Sequence, residues 1–496
     1  MRARESCMLE SPAPTFHCLC RERFCLKWLS GLLNRLSERS PAAAKSTTGK
    51  HRPLIAQRKG ALKPAIIPRG EHGISRKSIS EGALKVISRL RAGGYQAYLV
   101  GGGVRDLLLG GHPKDFDVAT DAHPEQIREL FRNSRVIGRR FKIVHVRFGP
   151  ETIEVTTFRG SHDAVDEEDT QPNPHQSARS EHGMLLRDNV YGTIEEDAVR
   201  RDFTVNALYY TTEDFAVYDY TGGMRDLQQR LLRIIGDPAT RYREDPVRML
   251  RAARFAAKLD FTIERDTAAP IPKLANLLTA IPPARMFDEV LKLLMGGYAE
   301  ATYRQMREHG LFAPLFPTTA AAIDGGLPLA EELITQALRN TDERIAAQKP
   351  VTPAFVYAAL LWPALQKEVT DLTAQGVNEP VAVQQAMQVT LERQQRHTAI
   401  PRRYSQPMRE IWELQWRLPR RDTRRIDTLL EHPRLRAGYD FLLLREQAGE
   451  ALGDIGRWWT EFLAADEEQR AHLLHQVTPR SSGSRRRRPR KTRVET

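Results

Sequence analysis

The sequence predicts an α/β head, a small mixed sheet with helices, followed by an all-α second half and a disordered basic tail. Three observations lead there. Residues 98–120, YLVGGGVRDLLLGGHPKDFDVAT, read as a strand, a glycine turn, a helix and a second strand. Two more runs, KIVHVRF at 142–148 and TIEVTTF at 152–158, have strand character. Beyond about residue 240 strand signals vanish, and patterns such as EDPVRMLRAARFAAKL and ARMFDEVLKLL recur at helical spacing to about residue 465.

Taken in order, the chain opens with an extension holding all four cysteines, Cys7, Cys18, Cys20 and Cys25. The presumed folded body therefore has none, which excludes a disulfide framework and fits a reducing cytoplasm. The cysteine spacing beside His17 matches no zinc pattern. Residues 24–36, FCLKWLSGLLNRL, are amphipathic and too short to span a bilayer, so at most a weak membrane-surface contact is expected there. No run of 18 apolar residues occurs anywhere. Residues 37 to about 75, rich in Ser, Pro, Lys and Arg, read as a flexible linker. From Ser80 a helix runs to the Gly93-Gly94 stop, strands follow at 97–100 and 115–119, and a helix at 124–131. Residues 161–183 read as a long polar loop, and 480–493 as an arginine-rich block that cannot fold alone. The formal charge of +13 over 496 residues points to a polyanionic partner, nucleic acid before membrane.

The chemistry concentrates in three places. Gly101-Gly102-Gly103 ends a strand and opens a helix, where free backbone N–H groups attract phosphate, and Arg105 adds a cation. The third glycine of a dinucleotide fingerprint is replaced by Asp106, and no P-loop motif occurs. Asp115 and Asp117, two apart on the predicted second strand, share one face and repel unless a cation lies between them. A third carboxylate is expected on a neighbouring strand, either Glu154 or Asp202. In Arg200-Arg201-Asp202 the arginines are placed to neutralise phosphate, with Asp202 orienting them, binding metal or capping the next helix. Finally, Asp245, Arg248 and Arg251 are spaced by three on a predicted helix. They form either a salt-bridged surface or a base-reading edge. An Asp acceptor beside an Arg donor matches adenine or cytosine and rejects guanine and uracil.

Together LVGGGVRD, DFD, RRDFTVNALYY and REDPVRMLRAARFAA, in that order over roughly residues 75–470, resemble the class II nucleotidyltransferases, the family of bacterial poly(A) polymerases and CCA-adding tRNA enzymes. The resemblance implies a nucleotidyltransferase head, a base-reading helical neck and an RNA-holding helical body. It implies Asp115 and Asp117 as Mg²⁺ ligands, with Glu154 a less certain third. Gly102, Gly103 and Arg105 would hold the ATP triphosphate, with Arg201 and Asp202 supporting the site. Glu244, Asp245, Arg248 and Arg251 would form the nucleotide face. The expected boundaries are an extension at 1–75, head at 76–235, neck at 236–300, body at 301–470 and tail at 471–496.

Three features favour the polymerase branch. CCA-adding enzymes usually show a glycine-threonine pair where this chain reads GRRFKIVHVRF, at 138–148. The approach LLRDNVYGTIEEDAVRRDF and the arginine-rich end are also like that branch, since such a tail binds RNA phosphates without sequence preference. The expectation is untemplated adenylate addition to RNA 3′ ends from ATP, with pyrophosphate released. The rivals are CCA addition to tRNA and a catalytically dead RNA-binding protein, the latter disfavoured by the intact Asp115 and Asp117.

Overall fold

Hydrophobic alternation builds the head. The computed structural model describes residues 62–138, 142–160, 177–179, 185–421 and 426–477. Its central sheet uses β1 (Ala65–Ile67), β2 (Ala97–Val100), β3 (Asp117–Thr120), β4 (Ser134–Ile137), β5 (Ile143–Phe148) and β6 (Glu151–Thr157). After the short antiparallel pair β7 (Ser177–Arg179) and β8 (Leu185–Asp188), β9 (Leu208–Tyr210) and β10 (Val217–Asp219) complete it. The strand order is β1-β10-β9-β2-β3-β6-β5-β4, antiparallel except for β3 beside β6. Leu99, Val118, Val144, Val146, Ile153 and Val155 line one face and pack with Val86, Ile87 and Leu90 of α1 (Glu81–Ala92) and Ile127 of α3 (Pro124–Leu130). Ser80 caps α1, its hydroxyl accepting from the Ala83 N–H at 3.1 Å.

The opposite face carries Val100, Ala119 and Tyr209, which pack with Ile194 and Ala198 of α4 (Ile194–Arg200). Between β2 and β3 lies α2 (Gly102–Leu108), entered through Gly101 at φ 77°, ψ −142°, a conformation open only to glycine. The head closes with α5 (Gly223–Gln228), and β11 (Leu231–Leu232) pairs with β12 (Thr262–Ile263) across the junction.

From Pro238 the chain is helical apart from β12. Helices α6 (Pro238–Glu244) and α7 (Val247–Leu259) lead to α8 (Pro283–Leu294), α9 (Ala299–Glu308), α10 (Ala330–Ala346), α11 (Pro353–Ala374), α12 (Glu379–Gln395) and α13 (Arg402–Arg417). They continue through α14 (Leu435–Gln447), α15 (Ile455–Ala464) and α16 (Glu467–Val477). One apolar core runs from Phe203 and Val205 through Met249, Leu250 and Phe287 to Trp412 and Phe441. No break in it coincides with the expected neck–body boundary at residue 300. No described helix is long and apolar enough to cross a membrane.

Four expectations are corrected. Residues 62–75 are not linker, because Ala65, Ile66 and Ile67 pair with β10. Within the expected loop at 161–183, residues 177–179 form β7; the rest lies outside the described residues. Residues 471–477 belong to α16 rather than to a tail. Residues 243–251 are not one helix, because α6 stops at Glu244 and α7 begins at Val247. Asp245 precedes Pro246 and is extended at φ −149°, the region to which a following proline drives its neighbour. The amphipathic segment at 24–36, the cysteines and the arginine block after 480 lie outside the described residues.

Candidate active site

The site forms where β2 runs into the glycine turn beside the first residue of β3. A Cβ on Gly101 would stand 3.4 Å from Oδ2 of Asp117 and 3.8 Å from Nη1 of Arg201, so the turn, the carboxylate and the guanidinium meet without spare room. Gly103 allows α2 to approach Asp115, whose carbonyl oxygen would lie 3.3 Å from an added Cβ. The strand starts at Asp117, so Asp115 sits just before it rather than on the same strand face as expected.

Glu154 of β6 is the direct cross-strand partner of Asp117. Burial, and then Glu154, push the Asp117 carboxyl up to about 6; Arg201 pulls it down and Asp115 adds to the rise. A partly buried carboxyl such as Asp117 that resists ionisation beside two further carboxylates is a candidate cation site. Among the described residues no three His, Cys, Asp or Glu side chains stand close enough together to hold a metal ion, so Asp115 and Asp117 are the pair on which one would rest. A hard cation held here would draw its remaining oxygens from water and phosphate.

Asp202 has another task. Its Oδ1 accepts from the Phe203 N–H at 2.8 Å and Asn206 Nδ2 at 3.1 Å, and its Oδ2 from Arg251 Nε at 2.7 Å. Burial works to raise this carboxyl, but Arg251 and Asn206 outweigh it and hold it at about 2. It does not cap the following short helix, which has no side-chain cap. Of the two candidates for a third carboxylate, Glu154 adjoins Asp117 while Asp202 is committed to α7.

Arg105 is 1% exposed and does not project into solvent as a free phosphate cation. Nη1 donates to Asn206 Oδ1 at 2.6 Å, Nε and Nη2 donate to Asp106 Oδ1, and the guanidinium lies over the Phe255 ring at 5.2 Å. It sits directly beneath Gly102, where a Cβ would come within 3.4 Å of Nη2, and so stiffens the turn from behind.

Arg201 is aimed by residues the sequence reading missed. Asp197 accepts from its Nε and Nη2 at 3.1 and 3.0 Å and from the Tyr209 hydroxyl at 2.6 Å. Burial opposes ionisation of Asp197, but Arg201 and Tyr209 prevail and lower its pKa. The i,i+4 spacing of Asp197 and Arg201 was the available signal. Arg241, also missed, donates from Nη2 to the carbonyls of Arg200 and Arg201 at 2.6 Å each.

The expected base-reading face is divided. Glu244 accepts from Arg241 and Arg248 at 2.8 and 2.9 Å, Asp245 is gripped by Nη2 of Arg285 at 3.1 Å from both oxygens, and Arg251 turns to Asp202. Asp245 and Arg248 meet through the backbone, the Arg248 N–H donating to the Asp245 carbonyl at 3.0 Å, while their side chains bond Arg285 and Glu244.

The poly A polymerase head-domain family matches residues 97–233, the probable RNA- and SrmB-binding site of polymerase A matches 260–323, and the polymerase A arginine-rich C-terminus matches 375–493. Poly(A) polymerase I of Salmonella typhimurium is 52% identical over 431 residues, covering 86% of this chain and 92% of its own. The CCA-adding enzyme of Bacillus subtilis is 37% identical over 233 residues, 47% of this chain and 55% of its own. A solved CCA-adding enzyme in complex with CTP is similar with a TM-score of 0.53 at 18% identity, over 81% of this chain and 92% of its own, and shares the fold.

Proposed function

The chain belongs to the poly(A) polymerase family of nucleotidyltransferases, and from that premise we propose how its residues divide the work of adenylate transfer. The protein is a polynucleotide adenylyltransferase that extends RNA 3′ ends without a template. One observation carries this over CCA addition: strong identity to a poly(A) polymerase runs over 86% of the chain, whereas the CCA-adding relative aligns with less than half.

In the proposed reaction the RNA 3′-oxygen attacks the α-phosphate of ATP and pyrophosphate leaves. Asp115 and Asp117 are the residues that would hold Mg²⁺, their carboxylate oxygens suiting it, with Glu154 adding negative charge beside Asp117. When bound, the ion lowers the pKa of the attacking hydroxyl and screens the triphosphate. Gly102 and Gly103 bring the backbone close to the triphosphate while Arg105 stiffens their turn. Arg201, steered by Asp197 and Tyr209, offers its positive charge beside Asp117. Asp245 and Arg248 meet the adenine edge, with Arg285 and Glu244 fixing them. Asp202 and Arg251 tie this nucleotide face to the head. A cytoplasmic setting fits the cysteine-free body.

The test is AMP incorporation by Asp115→Ala/Asp117→Ala. The expected loss is at least about 10³-fold, because charge neutralisation at the reacting phosphate disappears. Undiminished tailing would sink the assignment.

A further inference from the structure

We infer that the polar face of β4, β5 and β6 is the track along which the last nucleotides of the acceptor RNA reach Asp117, with Arg135, His145 and Arg147 meeting its phosphates. This rests on the reading of Asp115 and Asp117 as the transfer centre.

Strand register places these groups in a line. Arg135 pairs with His145, His145 with Glu154, and Glu154 with Asp117, so one cross-strand row runs from the sheet edge to the carboxylates. Cross-strand partners share a face. At the usual strand separation the row is about 14 Å long, the reach of roughly two or three nucleotides. Arg147 lies two residues beyond His145 on β5 and faces the same way. The other face of these strands is taken by Val136, Val144, Val146, Ile153 and Val155 against the core. The row face is polar and reachable: Arg135 and Arg147 are exposed, and neither forms an ion pair with any described residue. His145 Nε2 lies 3.3 Å from Glu154 Oε1, linking the track to the carboxylate group.

The direction of attack selects the occupant. Gly102 opens α2 after β2, Arg201 donates to the Tyr209 hydroxyl of β9 and Asp202 bonds Arg251 of α7, so the proposed nucleotide and its leaving pyrophosphate occupy the β2, β9 and α7 side of Asp117. In an in-line displacement the attacking oxygen comes from the opposite side, where β6, β5 and β4 lie. Two exposed guanidiniums on that side, without an ion pair to any described residue, suit an incoming polyanion. Ile137 and Ile143, partners on the same face, give a ribose or base an apolar rest.

The test uses the full chain with a six-nucleotide oligoadenylate as acceptor. For Arg135→Gln/Arg147→Gln the expected acceptor KM rises about tenfold, the ATP KM moves less than twofold, and the slope of log KM against log salt flattens by about 1.4, the value for two lost phosphate contacts. Arg135→Lys/Arg147→Lys should recover most of the acceptor affinity, which a folding defect would not allow. An acceptor KM and salt slope equal to wild type would overturn the track while leaving the centre intact, provided Asp115→Ala/Asp117→Ala is inactive. Transfer by that carboxylate variant would instead remove the reading on which the track depends.

Discussion

Arg251 on α7 donates from Nε to Oδ2 of Asp202 in the head at 2.7 Å, and the bonds that start there return to the same helix. Asp202 binds Asn206, Asn206 accepts from Arg105, Arg105 holds Asp106, and Asp106 meets Lys258 of α7 at 3.3 Å. Phe255, one turn from Arg251, carries the guanidiniums of Arg105, Arg251 and Arg254 around its ring. The turn proposed to hold the triphosphate and the helix after the base-reading motif are thus one polar assembly, and neither moves alone.

Removing Arg251 leaves the buried Asp202 carboxylate without its main cation. Arg251→Ala should lower stability by about 2–3 kcal/mol, less than the roughly 3–5 kcal/mol for breaking a fully buried pair because the Arg251 side chain is partly exposed. Urea denaturation measures this, and AMP incorporation should fall at least tenfold. A stability change within about 0.5 kcal/mol would show that the pair is dispensable.

The same carboxylate gives the fold an acid limit. Its folded value of about 2 lies below the ordinary 3.8, so its contribution is complete above about pH 4 and is lost as the pH falls towards 2. Between pH 5 and 2.5 wild type should therefore lose about 1–2 kcal/mol more than Asp202→Asn in urea melts. Parallel pH profiles for the two proteins would contradict the assignment.

Gly101→Ala tests the turn. At φ 77°, ψ −142° an alanine is strained by about 1–3 kcal/mol, and its methyl reaches within 3.4 Å of Asp117 Oδ2. The expected result is a lower melting temperature together with a kcat reduced at least tenfold. An unchanged kcat would mean that the turn does not set the position of Asp117.

Arg285 holds Asp245 by both oxygens, so Arg285→Ala should loosen that carboxylate. The ATP KM should rise about fivefold to tenfold, a cost of about 1 kcal/mol in one charge-assisted contact, while the RNA KM changes little. Initial-rate kinetics with either substrate varied would separate the two effects.

Much of this site was legible in residues 98–120, because a strand, a glycine turn, a helix and a strand are local patterns. The acidic pair was found there, yet its shared strand face was not, since β3 begins only at Asp117. The break at Asp245 was also available: a residue before proline disfavours the helix, but the helical spacing of Asp245, Arg248 and Arg251 was given more weight. The fate of Arg105 was hidden for a physical reason, because Asp106, Asn206 and Phe255, which bury it, come from three separate segments. His145, Arg241 and Arg285 escaped in the same way. Their meaning depends on sheet register or on contacts between distant helices, and no local spacing encodes either.

The account stands most directly on the products made from each nucleotide. The purified full-length protein is incubated with an unstructured RNA, a tRNA lacking its CCA end, Mg²⁺, and ATP, CTP, GTP or UTP singly. The predicted result is long A ladders on the unstructured RNA from ATP, with the other three nucleotides used poorly. Efficient CMP addition to the shortened tRNA, without long A tails on any RNA, would contradict it.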